Sequence, residues 1–99
     1  MATHSLTATI LRYKAENYAS IAACIETEER GEKFEDPGTI WPVIEKIETW
    51  KAPAEDQQEA ILALELAIED YEIGDTPRIP AMMKAALGWL KADAKRRNA

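Results

Sequence analysis

The sequence predicts an all-α fold, a compact bundle of about four helices. Alanine, glutamate, isoleucine and leucine dominate the composition and valine occurs once, which favours helices over a sheet. Apolar residues recur every three or four positions in four segments, and proline, glycine and aspartate cluster between those segments. A length of 99 residues indicates one domain. We therefore expect a single helical domain over 1–99, with frayed ends at 1–4 and 97–99.

The first predicted helix covers 5–30. Thr3 or Ser5 is its candidate N-cap, and Gly31 is its stop signal. At 100° per residue, a set of apolar residues falls on one side and predicts the face that packs against the bundle: Ile10, Leu11, Tyr18, Ile21 and Ile25. Lys14 lies inside this stripe. We expect it to reach water or to pair with a glutamate of the second or third helix, because a buried unpaired ammonium is costly.

The second predicted helix covers 39–51. A turn at 36–38 precedes it, and Thr39 is its candidate N-cap. Its apolar stripe comprises Ile40, Val43, Ile44, Ile47 and Trp50. Trp41 falls outside that stripe, roughly opposite Trp50. Because tryptophan is enriched at interface hot spots, Trp41 is a candidate partner contact, although such a residue also closes the end of a small bundle.

The third predicted helix covers 53–73, and Gly74 ends it. It is apolar on two sides. One side carries Ile61, Leu64, Ile68 and Tyr71, the opposite side carries Leu62, Leu66 and Ile73, and an acidic edge between them carries Glu65, Glu69 and Glu72. Such a helix is either central and covered on both sides by its own chain, or it exposes the second side as an interface. Leu62, Leu66 and Ile73 are therefore candidate interface residues, for a protein partner or for an intertwined homodimer.

The fourth predicted helix covers 77–96, with Thr76 as its candidate cap. Lys84, Lys91 and Lys95 form a basic ridge within about 40° of arc. The ridge either complements the helix dipole, or pairs with the acidic edge of the third helix, or docks an acidic partner or RNA. Apolar residues occupy the other side, and Met82 and Trp89 at its margin are candidate interface residues. Gly88 before Trp89 predicts a close approach of another backbone.

The sequence offers little catalytic chemistry. His4 is the single histidine, so neither a Ser-His or Cys-His dyad nor a Glu-x-x-His metal motif can be built within the bundle. There is no glycine-rich phosphate loop. We therefore expect no catalytic, metal-binding or cofactor-binding residues and no enzyme activity. Cys24, the single cysteine, is expected as a small core side chain in a reducing, cytoplasmic setting.

Charge separates the two ends of the chain. Residues 1–77 hold 6 basic and 17 acidic residues, a net charge of −11, whereas residues 78–99 hold 6 basic residues and one acidic residue, a net charge of +5. The overall charge of −6 disfavours binding to nucleic acid, and no apolar segment approaches the ~20 residues of a membrane span. The first functional hypothesis is a small acidic protein–protein interaction module. The alternative is an inhibitor, encoded by a phage or mobile element, that mimics nucleic acid through its acidic surface.

Overall fold

A computed structural model describes residues 5–35 and 38–98, and these residues form four helices. The helices are α1 (Leu6–Glu29), α2 (Trp41–Glu48), α3 (Gln57–Ile73) and α4 (Arg78–Arg97). The prediction of an all-α bundle with about four helices is thereby confirmed. Among the described residues, no helix has both the length and the apolar character needed to cross a membrane.

The ends of α1 follow from local chemistry. The Ser5 hydroxyl oxygen accepts a hydrogen bond from the Ala8 amide at 3.0 Å, so Ser5 is the N-cap. At the other end Gly31 adopts a φ of 73°, a left-handed conformation that glycine tolerates without a steric cost. His4 and Thr3 lie outside the described residues.

The start of α2 differs from the prediction. The helix begins at Trp41, and no side chain caps it. The Thr39 hydroxyl, which we expected as the cap, instead donates a hydrogen bond to Glu16 Oε2 on α1 at 2.9 Å. Pro42 is tolerated in the first turn because the amide groups there have no partner inside the helix. The predicted turn at 36–38 lies partly outside the described residues.

Helix α3 also begins later than predicted, whereas α4 begins at Arg78, within one residue of the predicted start. Asp56 caps α3 by accepting a hydrogen bond from the Glu59 amide at 2.8 Å, so the preceding residues 53–55 stay in the loop. Helix α4 follows Pro77 without a capping side chain. The hydroxyl of Thr76, the expected cap, is buried and finds no hydrogen-bond partner in the described part of the chain.

The core is narrow because much of it consists of alanine. Helices α3 and α4 form the most extensive helix pair. Small side chains let two helix backbones approach closely, and alanines from both helices are buried in the core. The largest fully buried side chains are Leu6, Ile10, Ile47, Leu66 and Met82.

All four helices meet at Arg78. Its Nε donates a hydrogen bond to Asp70 Oδ2 of α3 at 2.8 Å, and its Nη1 lies 3.7 Å from Glu48 Oε1 of α2. The guanidinium carbon stands 5.2 Å from the ring centroid of Tyr13 on α1. Burial alone would lower the pKa of Arg78, but the hydrogen bond to Asp70 and the neighbouring charges outweigh burial and raise it. The charge of Arg78 is thus matched where the helices cross.

A second buried carboxylate joins α3 to the start of α1. Glu59 Oε2 accepts hydrogen bonds from the Thr7 amide at 2.9 Å and from the Thr7 hydroxyl at 2.6 Å. Glu59 Oε1 accepts another from the Glu55 amide at 3.0 Å. A negative charge at the first turn of α1 satisfies an amide that has no partner inside the helix and complements the helix dipole.

The predicted close approach at Gly88 occurs against the loop between α2 and α3. A Cβ atom placed on Gly88 would lie 2.8 Å from Pro53 Cβ and 3.3 Å from Pro53 Cα. The next residue, Ala54, donates its amide hydrogen to the carbonyl oxygen of Ala85 at 2.9 Å, which fixes the loop against α4. Position 88, in the middle of α4, therefore requires glycine, because Pro53 leaves no room for a Cβ atom.

We expect Gly88→Ala to lower the free energy of unfolding by about 1–3 kcal/mol, because overpacking against Pro53 outweighs the better helix propensity of alanine. The matched control is Gly74→Ala, where an added Cβ meets nothing within 4 Å. Urea unfolding followed by circular dichroism measures both. Equal stabilities for the two variants would contradict the close approach.

We expect Arg78→Met to cost about 3–5 kcal/mol, because it leaves the buried Asp70 carboxylate without its partner. Arg97→Met removes a similar side chain from an exposed ion pair with Asp93 and should change stability by less than about 0.5 kcal/mol. The measurement is again the unfolding midpoint in urea. A small loss for Arg78→Met would show that the helix junction does not depend on this pair.

Candidate interaction surface

Three helices leave large apolar side chains open to solvent. The α1 stripe comprises Leu11, Tyr18, Ile21 and Ile25; the α3 stripe comprises Ile61, Leu64, Ile68 and Tyr71; and the α4 stripe comprises Met83, Leu87 and Leu90. The exposed fractions of these eleven side chains run from 37% to 76%. On α1, the stripe predicted to face the bundle does so only at Ile10. These eleven exposed side chains are the main unexplained feature of the surface.

The stripe of α1 is exposed because the helix extends beyond the core. Its buried residues Leu6, Thr9 and Ile10 belong to the first two turns, and after Tyr13 only Thr27 is buried. A helix of 24 residues is about 36 Å long, so most of α1 projects beyond the place where the helices meet.

The stripe of α3 is exposed because the core uses a different side of that helix. The buried residues of α3 are Glu59, Ala60, Ala63, Leu66, Ala67 and Asp70. At 100° per residue, the centre of this set lies about 120° from the centre of the α3 stripe. The two carboxylates decide the orientation, since their partners Thr7 and Arg78 lie inside the bundle.

The candidate interface residues are divided between the core and the surface. Leu66 and Met82 are 1% and 0% exposed and belong to the core, while Leu62 and Trp89 are partly buried against it. Ile73 and Trp41 are open, with exposed fractions of 87% and 60%. The structure therefore does not bring these residues together on one surface. The uncovered side of α3 is the one that carries Ile61, Leu64, Ile68 and Tyr71.

Charged residues flank two of the stripes. The acidic edge (Glu65, Glu69 and Glu72) adjoins the α3 stripe, and the basic ridge (Lys84, Lys91 and Lys95) adjoins the α4 stripe. Glu69 Oε1 lies 3.6 Å from the Nζ of Lys14, which supplies the predicted partner for that lysine. In the described part of the chain, the ion pairs do not include Glu65, Glu72 or any lysine of the ridge. The acidic edge and the basic ridge thus do not neutralise each other within one chain.

The molecule is flat and extended. It measures 62 × 35 × 19 Å, so it is about two helices thick. Its radius of gyration is 16.2 Å, against about 13 Å for a globular domain of this length. Its accessible surface is 7188 Å², against about 5,700 Å² for a folded monomer of 11.1 kDa. The chain therefore exposes about 1,500 Å² more than a self-sufficient monomer of its mass.

An open cleft between α1 and α2 has a volume of about 680 Å³. Its lining includes Arg12, Val43 and Lys46, and also Thr9, whose hydroxyl donates to the Ser5 carbonyl oxygen at 2.9 Å.

Cys24 is half-buried rather than in the core, and its Sγ lies 3.8 Å from Glu28 Oε1. Residues 5–35 and 38–98 contain no group of three or more His, Cys, Asp or Glu side chains arranged to hold a metal ion.

Comparisons with protein-family models, with curated proteins and with solved structures returned no match.

Proposed function

We propose that the protein is a non-enzymatic protein–protein interaction module and that its contact surface is built on the exposed stripes of α1, α3 and α4. The eleven large apolar side chains that these stripes leave open to solvent carry this proposal. Monomeric proteins rarely expose contiguous apolar patches of more than a few hundred Å². Larger ones mark sites where another surface binds.

The energetics support the same conclusion. Burying one leucine, isoleucine or methionine side chain contributes about 1.5–3 kcal/mol. The α3 stripe holds four large apolar side chains on one side of one helix, and Ile68 and Tyr71 are 60% and 76% exposed. A partner that covers this side gains the share of that free energy that belongs to the area still exposed, without any rearrangement of the core.

The buried ionisable groups support a structural rather than a catalytic role. Glu59 is held by three hydrogen bonds at the first turn of α1. Asp70 is occupied by Arg78. These groups join helices to one another, and none of them opens onto the cleft between α1 and α2.

The alternative function, an inhibitor that mimics nucleic acid, has less support than the interaction module. It needs carboxylates arrayed on the surface, spaced like phosphates. Glu59 and Asp70 are inside the fold, and Glu48 and Glu69 are partly neutralised by Arg78 and Lys14. The remaining acids share the surface with exposed apolar stripes that a mimic does not need.

The proposal is tested by Ile68→Glu, which places a charge at the centre of the α3 stripe. Ile73→Glu is the matched control, since Ile73 lies on the same helix, is 87% exposed and is off the stripe. The protein carries a fluorophore on its N-terminus, and its sedimentation is measured alone and in an extract of the cells that make it. We expect the parent and Ile73→Glu to sediment faster than an 11.1 kDa monomer in at least one condition, and Ile68→Glu to sediment as the monomer in both.

Two results would contradict the proposal. One is a parent protein that sediments as a monomer in both conditions. The other is association that survives Ile68→Glu, or that is lost instead with Ile73→Glu, which would move the contact surface to the opposite side of α3. Circular dichroism confirms that each variant is folded.

A further inference from the structure

Each exposed stripe of the α3–α4 pair has a charged border of opposite sign. On α3 the apolar side chains are bordered by Glu65 and Glu72, and on α4 they are bordered by the basic ridge. Neither border finds ion-pair partners within the described part of its own chain. One chain therefore presents two surfaces, apolar in both cases, whose charges complement each other.

We propose that the occupant of the contact surface is a second copy of this chain, related by a two-fold axis. The α3 stripe of each copy packs on the α4 stripe of the other, and the acidic edge of one faces the basic ridge of the other. This inference rests on the proposed function and names the partner.

Two-fold symmetry makes the arrangement self-consistent. In such an interface, if residue i of one copy contacts residue j of the other, then j also contacts i. Each copy therefore supplies both an acidic edge and a basic ridge, and both are matched in a single pair. A single pair leaves neither surface free to extend the assembly.

The areas also agree. The excess of about 1,500 Å² per chain is about 3,000 Å² for two chains, and it includes the α1 stripe, so a pair formed through α3 and α4 would bury part of it. Obligate homodimers bury about 2,000–5,000 Å² in total, and their interfaces are more apolar than those of transient complexes. Two flat molecules, each 19 Å thick, also stack to the depth of an ordinary globular domain.

The test uses two complementary charge reversals in the full chain. The first variant is Lys84→Glu with Lys91→Glu, which makes both borders acidic. The second is Glu65→Lys with Glu72→Lys, which makes both borders basic. Light scattering behind a sizing column then measures the mass of each protein, alone and as an equimolar mixture, over a concentration series.

We expect the parent to form a dimer of twice 11.1 kDa, and each variant alone to dimerise at least about tenfold more weakly because like charges face each other. The mixture should restore the dimer, because the acidic ridge of the first variant then meets the basic edge of the second, and the acidic edge of the first meets the basic ridge of the second. Rescue in the mixture distinguishes pairing between chains from any effect inside one chain. The parent dimer should also weaken several-fold between 0.05 and 0.5 M salt, roughly as screening requires.

Three results would overturn the inference. In the first, both variants dimerise alone as tightly as the parent. In the second, both are weakened but the mixture gives no rescue. In the third, the parent is a monomer at every concentration.

The third result separates this inference from the proposed function. A monomer whose Ile68-dependent association appears only in the cell extract has a different protein as its partner. A monomer that also sediments as one in the extract contradicts both. If either charge variant fails to fold, the salt dependence of the parent dimer decides, and a dimer insensitive to salt overturns the opposed-charge arrangement.

Discussion

The structure depends on the pair between Arg78 and Asp70. Asp70 is almost fully buried, and the same guanidinium reaches Glu48 of α2 and the ring of Tyr13 on α1. A buried charge pair is a weak source of stability, because removing two ions from water costs several kcal/mol per ion. Its consequence is specificity: α4 cannot rotate or slide without leaving the Asp70 carboxylate unpaired. The buried side of α3 is fixed in the same way by Glu59 at the other end of that helix.

Orienting α3 by its carboxylates determines what is left for the surface. Of the thirteen buried apolar residues in the described part of the chain, seven are alanine. Alanine lets helices approach closely but buries little apolar area, so the core of one chain contributes less than its helix content suggests. The larger side chains stand on α1, α3 and α4 outside that core. Anything that covers the stripes of the folded chain therefore also stabilises the folded state.

The sequence predicts the elements better than it predicts their faces. Ser5, Gly31 and Gly74 mark helix ends through local chemistry, and those ends were predicted correctly. The start of α3 was placed too early, because Pro53 resembles a helix start while Asp56 provides the cap. Which side of α3 is buried is a long-range matter. The buried side shares only Leu66 with the two predicted apolar sides, and it is selected by partners at Thr7, 52 positions away, and at Arg78. The spacing of Asp56 and Glu59, typical of a capping box, was the one local signal of that choice.

The basic end of the chain can be explained one residue at a time. Arg78 is used inside the bundle, and Arg96 and Arg97 pair with Asp93 in the last turns of α4, where cations also complement the helix dipole. In the described part of the chain, Lys84, Lys91 and Lys95 form no ion pair, and of the three only Lys95 lies in the last turn. Exposed ion pairs contribute little free energy, so these lysines are a poor source of affinity. Opposite charges gathered on two different helices instead favour one arrangement of two surfaces and penalise the others. In the proposed pair, the stripes supply the affinity and the separated charges select the register, which gives a physical reason for an acidic chain to carry a basic last helix.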